Sequence, residues 1–269
     1  MEDMTRQIQE KCLEILEVVD QICRRHAIQY SLCGGSVVGA HLYGACLPWD
    51  DDVDLMMTRD NYNRFLQIAP AEMPEGLSVH NYQLSDEYWS LFTKIVNDNT
   101  TVVQRDGTVS GVFLDITVYD KIPENWRRRE DIFLWKLSQI VSVGEIESKT
   151  FKAVLRNLML KTVFHDKRKY FRLFQSRVEK NGIKAKTYHY SELFGAYCNT
   201  KPYAPAIFEN YSEITFEGKQ YMIVRDYVDY LTTRYERSDF RETKERQTPP
   251  HVCFVDLSLP YKQFRTRSD

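Results

Sequence analysis

From Leu47 to Met57 the chain reads Leu-Pro-Trp-Asp-Asp-Asp-Val-Asp-Leu-Met-Met, with four carboxylates in five positions directly ahead of an apolar run. Carboxylates this close repel one another, and a surface turn rarely needs that density, so the fold must contain something that offsets the charge. A divalent cation does so naturally. Val53–Met57 has the length of a buried strand, and side chains alternate faces along a strand, so Asp52 and Asp54 project to the same side at its start. That is a two-carboxylate grip for one or two Mg²⁺ ions, with Mn²⁺ as a substitute. Asp115 lies between Leu114 and Ile116 in a second strand-like run. An ionised side chain is costly there unless a metal or cation pairs with it, which makes Asp115 the expected third ligand. The series Asp50-x-Asp52-x-Asp54 opens like a calcium-binding EF-hand loop, but position six is Leu55 and position twelve is Asn61. Calcium binding of that kind is excluded.

The surrounding pattern is a mixed one. Ile8, Cys12, Ile15, Leu16, Val19, Ile22 and Cys23 recur at three- and four-residue steps and predict an amphipathic helix over Met4–His26. A short strand is expected within 27–33, then a turn at Gly34-Gly35-Ser36 and a helix start. After the acidic strand a second helix is expected from Thr58–Asp60 onward. Residues 88–97 and 111–119 are β-branched and aromatic enough for strands, with the TTVV strand (100–103) of a hairpin or meander between turns at Asn97-Asp98-Asn99 and Arg105-Asp106-Gly107. Residues 123–181 change character to two or three basic amphipathic helices. A tyrosine-rich irregular stretch follows near Pro202 and Pro205, then a hairpin around Glu217-Gly218. The fold class expected is α+β, with a mixed sheet core over 1–120 and a largely helical and irregular region over 121–269 packed on it.

A chain of 269 residues with 43% apolar and 28% charged residues can bury a sizeable core. Its formal net charge of −2 gives no global case for a nucleic-acid partner, and none is expected. The sum hides a split: residues 1–60 hold eleven Asp/Glu against five Lys/Arg, and residues 121–180 hold fifteen Lys/Arg against seven Asp/Glu. The six cysteines are scattered, with no zinc-ligand spacing, and read as reduced, mostly buried thiols. The polar first residues do not read as a secretory leader, and no apolar run has the length of a membrane span, so a cytoplasmic location is expected.

Gly34-Gly35-Ser36 complements the aspartates. Two glycines let the backbone approach a ligand, and the helix that follows offers free N–H groups to phosphate. Neither the P-loop nor the Rossmann glycine pattern occurs. The glycine turn, then Asp-x-Asp before a strand, then a lone Asp in a further strand resembles the nucleotidyltransferase fold. The fuller stretch GGSVVGAHLYGACLPWDDDVDLMMTRDNYNRF is similar to the hallmark of the LicD family. Further matches are Lys94 in FTKIVNDNTT, Asp115 and Asp120 in GVFLDITVYD, the segment YLTTRYE, and Pro249-Pro250-His251.

That family transfers phosphocholine or related phospho-alcohols from a CDP-activated donor to a glycan. The resemblance implies Asp52, Asp54 and Asp115 as catalytic and metal-holding residues, with Gly34, Gly35, Ser36 and Lys94 on the donor diphosphate. Trp49, Asp51, Trp89 and His251 are expected substrate contacts, Trp49 and Trp89 because aromatic faces hold quaternary ammonium groups. The implied partners are CDP-choline or another CDP-alcohol and an anionic, lipid-linked glycan such as a teichoic-acid precursor. The basic segment 121–180 reads either as a docking face for that anionic acceptor at the inner membrane surface or as a solvated basic surface. Two other functions use the same residues: a conventional nucleotidyltransferase releasing pyrophosphate, and an inactive nucleotide-binding relative. The chain departs from the family at Leu42-Tyr43, where an Arg-His pair is usual, at Thr117-Val118 in place of a hydrophobic-proline step, and at Glu236 in place of a frequent glycine.

Overall fold

The computed structural model describes residues 2–85, 88–105, 107–126, 128–144, 148, 150–195, 199–241 and 251–268. The chain begins with α1 (Glu2–Arg25), β1 (Ser31–Leu32), α2 (Gly34–Tyr43), β2 (Asp54–Thr58) and α3 (Arg59–Glu72). Next come β3 (Leu77–His80), β4 (Thr93–Asn97), β5 (Thr101–Gln104), β6 (Val109–Ser110) and β7 (Phe113–Pro123). Three helices follow, α4 (Arg128–Val143), α5 (Phe151–Thr162) and α6 (Lys167–Lys184). The chain returns to strands in β8 (Tyr188–Glu192), β9 (Asn199–Tyr203), β10 (Tyr211–Phe216) and β11 (Lys219–Val224), then closes with α7 (Tyr227–Tyr235), β12 (Val252–Asp256) and α8 (Tyr261–Ser268).

The main sheet runs β1-β2-β7-β4-β3, and β8 and β9 extend it from the far half of β7. Only β2 and β7 pair in parallel within it; the other neighbours are antiparallel. Leu55, Met56 and Met57 are buried on both faces of β2, which is why this strand reads as a continuous apolar run rather than an alternating one. The mixed α/β architecture is the one the sequence predicts. The apolar stripe of α1 is buried from Ile8 to Cys23 against this sheet, and α2, α3 and α7 join it in one core. A second core, around Phe171, Phe174, Val141 and Leu160, lies beneath α4, α5 and α6 and is continued by Tyr82 and Leu91.

The strand expected within 27–33 shrinks to two residues. Ala27 takes a left-handed backbone (φ 50°), turning the chain off α1, and Arg64 donates to the carbonyls of His26 and Ala27 at 2.8 and 3.2 Å. Likewise, only Thr93–Asn97 of 88–97 is strand; Tyr88, Trp89, Ser90 and Phe92 line a cavity instead. The stretch read as irregular near Pro202 forms β9, paired with β8. The hairpin at 217–218 forms as expected, with Glu217 and Gly218 both at positive φ (51° and 76°), the conformation a tight two-residue turn requires. The pairing of β12 with β5 was not foreseen, and it carries His251 to the aspartates. Cys12, Cys23, Cys33 and Cys46 are buried free thiols and Cys253 an exposed one; Cys198, Arg127 and Pro249-Pro250 lie outside the described residues. Among the described residues no helix is long and apolar enough to cross a membrane.

Candidate active site

Pairing register builds the site. In the parallel pair, Asp54 of β2 stands beside Asp115 of β7, and in the antiparallel pair Lys94 of β4 stands beside Asp115 from the other side. Lys94, Asp115 and Asp54 therefore form one row across three adjacent strands at one end of the sheet. Lys94 Nζ donates to Asp115 Oδ2 at 3.1 Å, lies 2.9 Å from Oδ1, and sits 3.3 Å from the centre of the Phe113 ring. Asp50, Asp51 and Asp52 precede β2 and reach the same place. A cavity of about 750 Å³ opens there, lined by all five aspartates, Lys94, Gly35, Trp49, Trp89 and His251.

The glycine turn closes the row from above. Gly34 adopts φ +52°, and a Cβ there would stand 3.4 Å from Asp54 Oδ2. A Cβ on Gly35 would meet Asp50 Oδ2 at 2.3 Å, so a side chain at this position is incompatible with the observed carboxylate. The Ser36 hydroxyl accepts the Asp54 backbone N–H at 3.0 Å, and the Cys33 N–H donates to the Asp54 carbonyl at 2.9 Å. The start of α2 is thus fastened to the start of β2. Its glycines are needed because helix and carboxylates approach so closely.

Electrostatics distinguishes the aspartates. Burial, then Asp52 and Asp115, push the Asp54 carboxyl well above its ordinary value. Burial and Asp115 raise Asp52, and burial and Asp52 raise Asp50 to about 8. Asp51 moves the other way. Burial acts upward on it, but His251 and the backbone N–H groups of Val252 and His251 outweigh this and lower it. Its Oδ2 accepts the Val252 N–H at 2.7 Å and its Oδ1 lies 3.3 Å from His251 Nδ1, so Asp51 ties β12 to the acidic loop. His251 in turn is raised to about 9, mainly through its hydrogen bond to Asp51.

The tryptophans take different places. Trp49 packs partly against the main core, while Trp89 stacks on Phe171 at 6.3 Å between ring centres with Lys167 Nζ 5.4 Å from its own ring. Arg234 of α7 is a cavity residue that the sequence did not single out. It donates to Glu192 Oε2 at 2.7 Å, and its guanidinium lies within 3.6 Å of the position a Gly34 Cβ would take. It sits in YLTTRYE, one turn after Tyr230, whose hydroxyl accepts the Gly34 N–H at 3.2 Å; its place in that segment, four residues from Tyr230, is the signal that could have found it. Two of the departures from the family pattern lie away from the cavity lining. Leu42 and Tyr43 end α2, about 12 Å along the helix from Gly34. Glu236 follows α7 in a left-handed conformation (φ 55°), the backbone state that favours glycine at this place.

The donor set suits a hard divalent cation: Asp52, Asp54 and Asp115 offer oxygen only, and mutual repulsion is the cost such an ion would relieve. The buried Asp115 Oδ1 accepts no well-aligned hydrogen bond despite the nearby Lys94. Among the described residues, however, no three His, Cys, Asp or Glu side chains already converge as a metal cage. The oxygens are neighbours on one rim rather than a closed ligand shell.

A mixed sheet with paired aspartates at adjacent strand ends, facing a glycine-started helix, is the arrangement that the resemblance to the nucleotidyltransferase fold implies. A family model described as "LicD/FKTN/FKRP, nucleotidyltransferase domain" matches residues 27–140. Over 260 residues the chain is 29% identical to the lipopolysaccharide cholinephosphotransferase LicD of Haemophilus influenzae, covering 92% of this chain and 96% of that protein.

Proposed function

We propose that this chain transfers phosphocholine, or a related phospho-alcohol, from a CDP-activated donor to a sugar hydroxyl of a cell-surface glycan and releases CMP. The observation that carries this reading is the row Lys94–Asp115–Asp54, held against the glycine turn within one cavity. The activity named for the Haemophilus influenzae relative supports choline as the alcohol and a lipopolysaccharide-type glycan as one acceptor; a teichoic-acid precursor presents the same hydroxyl chemistry.

The reaction is a displacement at phosphorus. The acceptor oxygen forms a bond to the phosphorus that bears the alcohol, the bond from that phosphorus to the CMP oxygen breaks, and the hydroxyl proton passes to a carboxylate. Such reactions ask for positioning and charge neutralisation more than for covalent chemistry. Asp52 and Asp54, with Asp115 beside them, would hold Mg²⁺, which when bound neutralises charge on the diphosphate and the leaving CMP. Lys94 and Arg234 flank the aspartates from opposite sides and orient the diphosphate oxygens. Asp115, held by Lys94, either completes the metal site or receives the proton. Trp49 offers an aromatic face beside the acidic loop for a quaternary ammonium.

The test is incubation with Mg²⁺, CDP-choline and a purified glycan acceptor, reading CMP and phosphocholine-labelled product. Asp52→Ala and Asp54→Ala should abolish both signals while leaving the protein folded. Pyrophosphate release from CTP without CMP release from CDP-choline would replace this reading with a conventional nucleotidyltransferase. Calorimetry showing no binding of nucleotide or Mg²⁺ would mark the chain as an inactive relative.

A further inference from the structure

Helix α5 is amphipathic in the wrong direction for a helix whose partner is the protein itself. Ala153 and Leu160 face inward, and the larger apolar residues face out: Phe151 is 80% exposed, Val154 and Leu155 55% each, and Leu158 56%. At 3.6 residues per turn these four occupy an arc of about 100° along a helix about 18 Å long. Exposed lysines border the arc, Lys161 on one side and Lys152 on the other. Val163, also 66% exposed, lies just past the helix end and outside this arc. Scattered single apolar residues on a surface are ordinary; a contiguous strip on one helical face marks an interaction surface.

We infer that the outward face of α5 is a docking surface for an anionic lipid bilayer, with Phe151, Leu155 and Leu158 entering the interface and the lysines reaching the headgroups. Charge selects this occupant over a second copy of the chain. Helix α5 carries no acidic residue, and residues 150–186 hold eleven Lys/Arg against two Asp/Glu. Two copies packed α5 against α5 would set like charges beside one another, because a two-fold interface pairs each patch with itself. An anionic membrane surface answers both the apolar strip and its basic border, since lysine stems lie along apolar surface while their ammonium groups meet headgroups. The sequence pointed to a basic docking face in 121–180; the structure adds that the contact is an apolar stripe with a basic rim. This inference does not depend on the transferase reading.

The test is flotation of the full chain with vesicles of phosphatidylcholine alone and of phosphatidylcholine with phosphatidylglycerol. The wild type should float with the phosphatidylglycerol vesicles, less so as salt rises. The triple variant Phe151→Gln, Leu155→Gln, Leu158→Gln should bind about tenfold more weakly or worse. The pair Lys152→Gln, Lys161→Gln should lose the preference for anionic vesicles. All three changes of the triple variant are at exposed positions, so its thermal midpoint should match the wild type. CMP release with a water-soluble acceptor should be unchanged in both variants, which separates a failure of docking from a failure of the proposed activity. A wild type that does not float with anionic vesicles, or a triple variant that floats equally well, would overturn the inference. So would a wild-type dimer that the triple variant disperses, which would assign the strip to self-association.

Discussion

Two aspartates of the same strand should fail in opposite ways when made neutral. Asp115 and Asp120 lie five residues apart on β7, an odd spacing that puts them on opposite faces of the sheet. Asp115 faces the cavity. Asp120, 1% exposed, receives Arg59 Nε and Nη2 at 2.8 and 2.9 Å in a two-point pair, and Arg59 is itself 7% exposed. Asp120→Asn would leave that guanidinium buried without its counter-charge, a loss of about 3–5 kcal/mol in comparable buried pairs. Glu179 Oε1, 3.6 Å from Arg59 Nε, takes up part of the charge, while Arg59 Nη1 already lacks a partner; the expected loss is therefore about 3 kcal/mol. For a chain of this size that lowers the thermal midpoint by roughly 6–12 °C, readable by circular dichroism. The double change Arg59→Met with Asp120→Leu should recover most of it, because replacing both ions by apolar groups removes the orphaned charge. Asp115→Asn should instead unfold within about 1 kcal/mol of the wild type, because Lys94 keeps access to the cavity, yet release no CMP. An Asp120→Asn protein that unfolds with the wild type, or one that loses turnover at unchanged stability, would refute the assignment of this pair to the fold rather than to the site.

The same electrostatics predicts that Asp54→Asn raises the thermal midpoint in the absence of divalent cations, because it removes a carboxylate that burial, then Asp52 and Asp115, hold well above its ordinary range; a fall would contradict the repulsion argued above. Glu236→Gly should stabilise the end of α7 by roughly 0.5–1 kcal/mol, since the exposed contact of Glu236 with Lys201 at 3.2 Å is worth less than relief of the left-handed backbone, and urea unfolding reads the difference. His251 is raised from 6.5 to about 9 in the folded chain, so its pairing with Asp51 stabilises fully below pH 6.5 and is lost as pH rises through 9. Thermal midpoints of the wild type and His251→Gln should therefore differ most at the acid end of that window and converge above it.

The sequence makes the centre of the site legible because its chemistry is local. The acidic run, the glycine turn and the lone Asp115 are each visible within a few residues, and strand alternation suffices to aim them. What it does not show depends on register between distant strands. Nothing near Lys94 reveals that it stands beside Asp115; that follows from the pairing of β4 with β7. His251 reaches Asp51 only because β12 pairs with β5, across about 150 residues of chain, and its reach toward the site rested on family resemblance. Arg234 was passed over because a lone arginine on an amphipathic helix reads as surface, and only the packing of α7 on α2 turns it inward. The inverted face of α5 was hidden for the same reason: periodicity shows that a helix has an apolar stripe but not which side the protein covers.

The two departures near the site also become intelligible once they are located. The usual Arg-His pair would stand at the end of α2, where Tyr43 is 53% exposed and Leu42 packs at the edge of the core, and neither residue lines the cavity. A basic pair there would act on something at the surface, at a distance from the phosphorus. Its loss therefore bears on how an acceptor or partner is held and leaves Asp52, Asp54, Asp115 and Lys94 as they are. Thr117 differs: it lines the cavity, and its hydroxyl donates to the Leu55 carbonyl at 3.2 Å, bonding β7 to β2 two residues beyond the Asp54–Asp115 pair. A proline tends to be excluded from a central strand because it removes a ladder donor; Val118 stands at the proline position and keeps the backbone N–H, and Thr117, at the hydrophobic position, adds this bond. The departure closest to the chemistry thus tightens the strand pair on which both carboxylates depend.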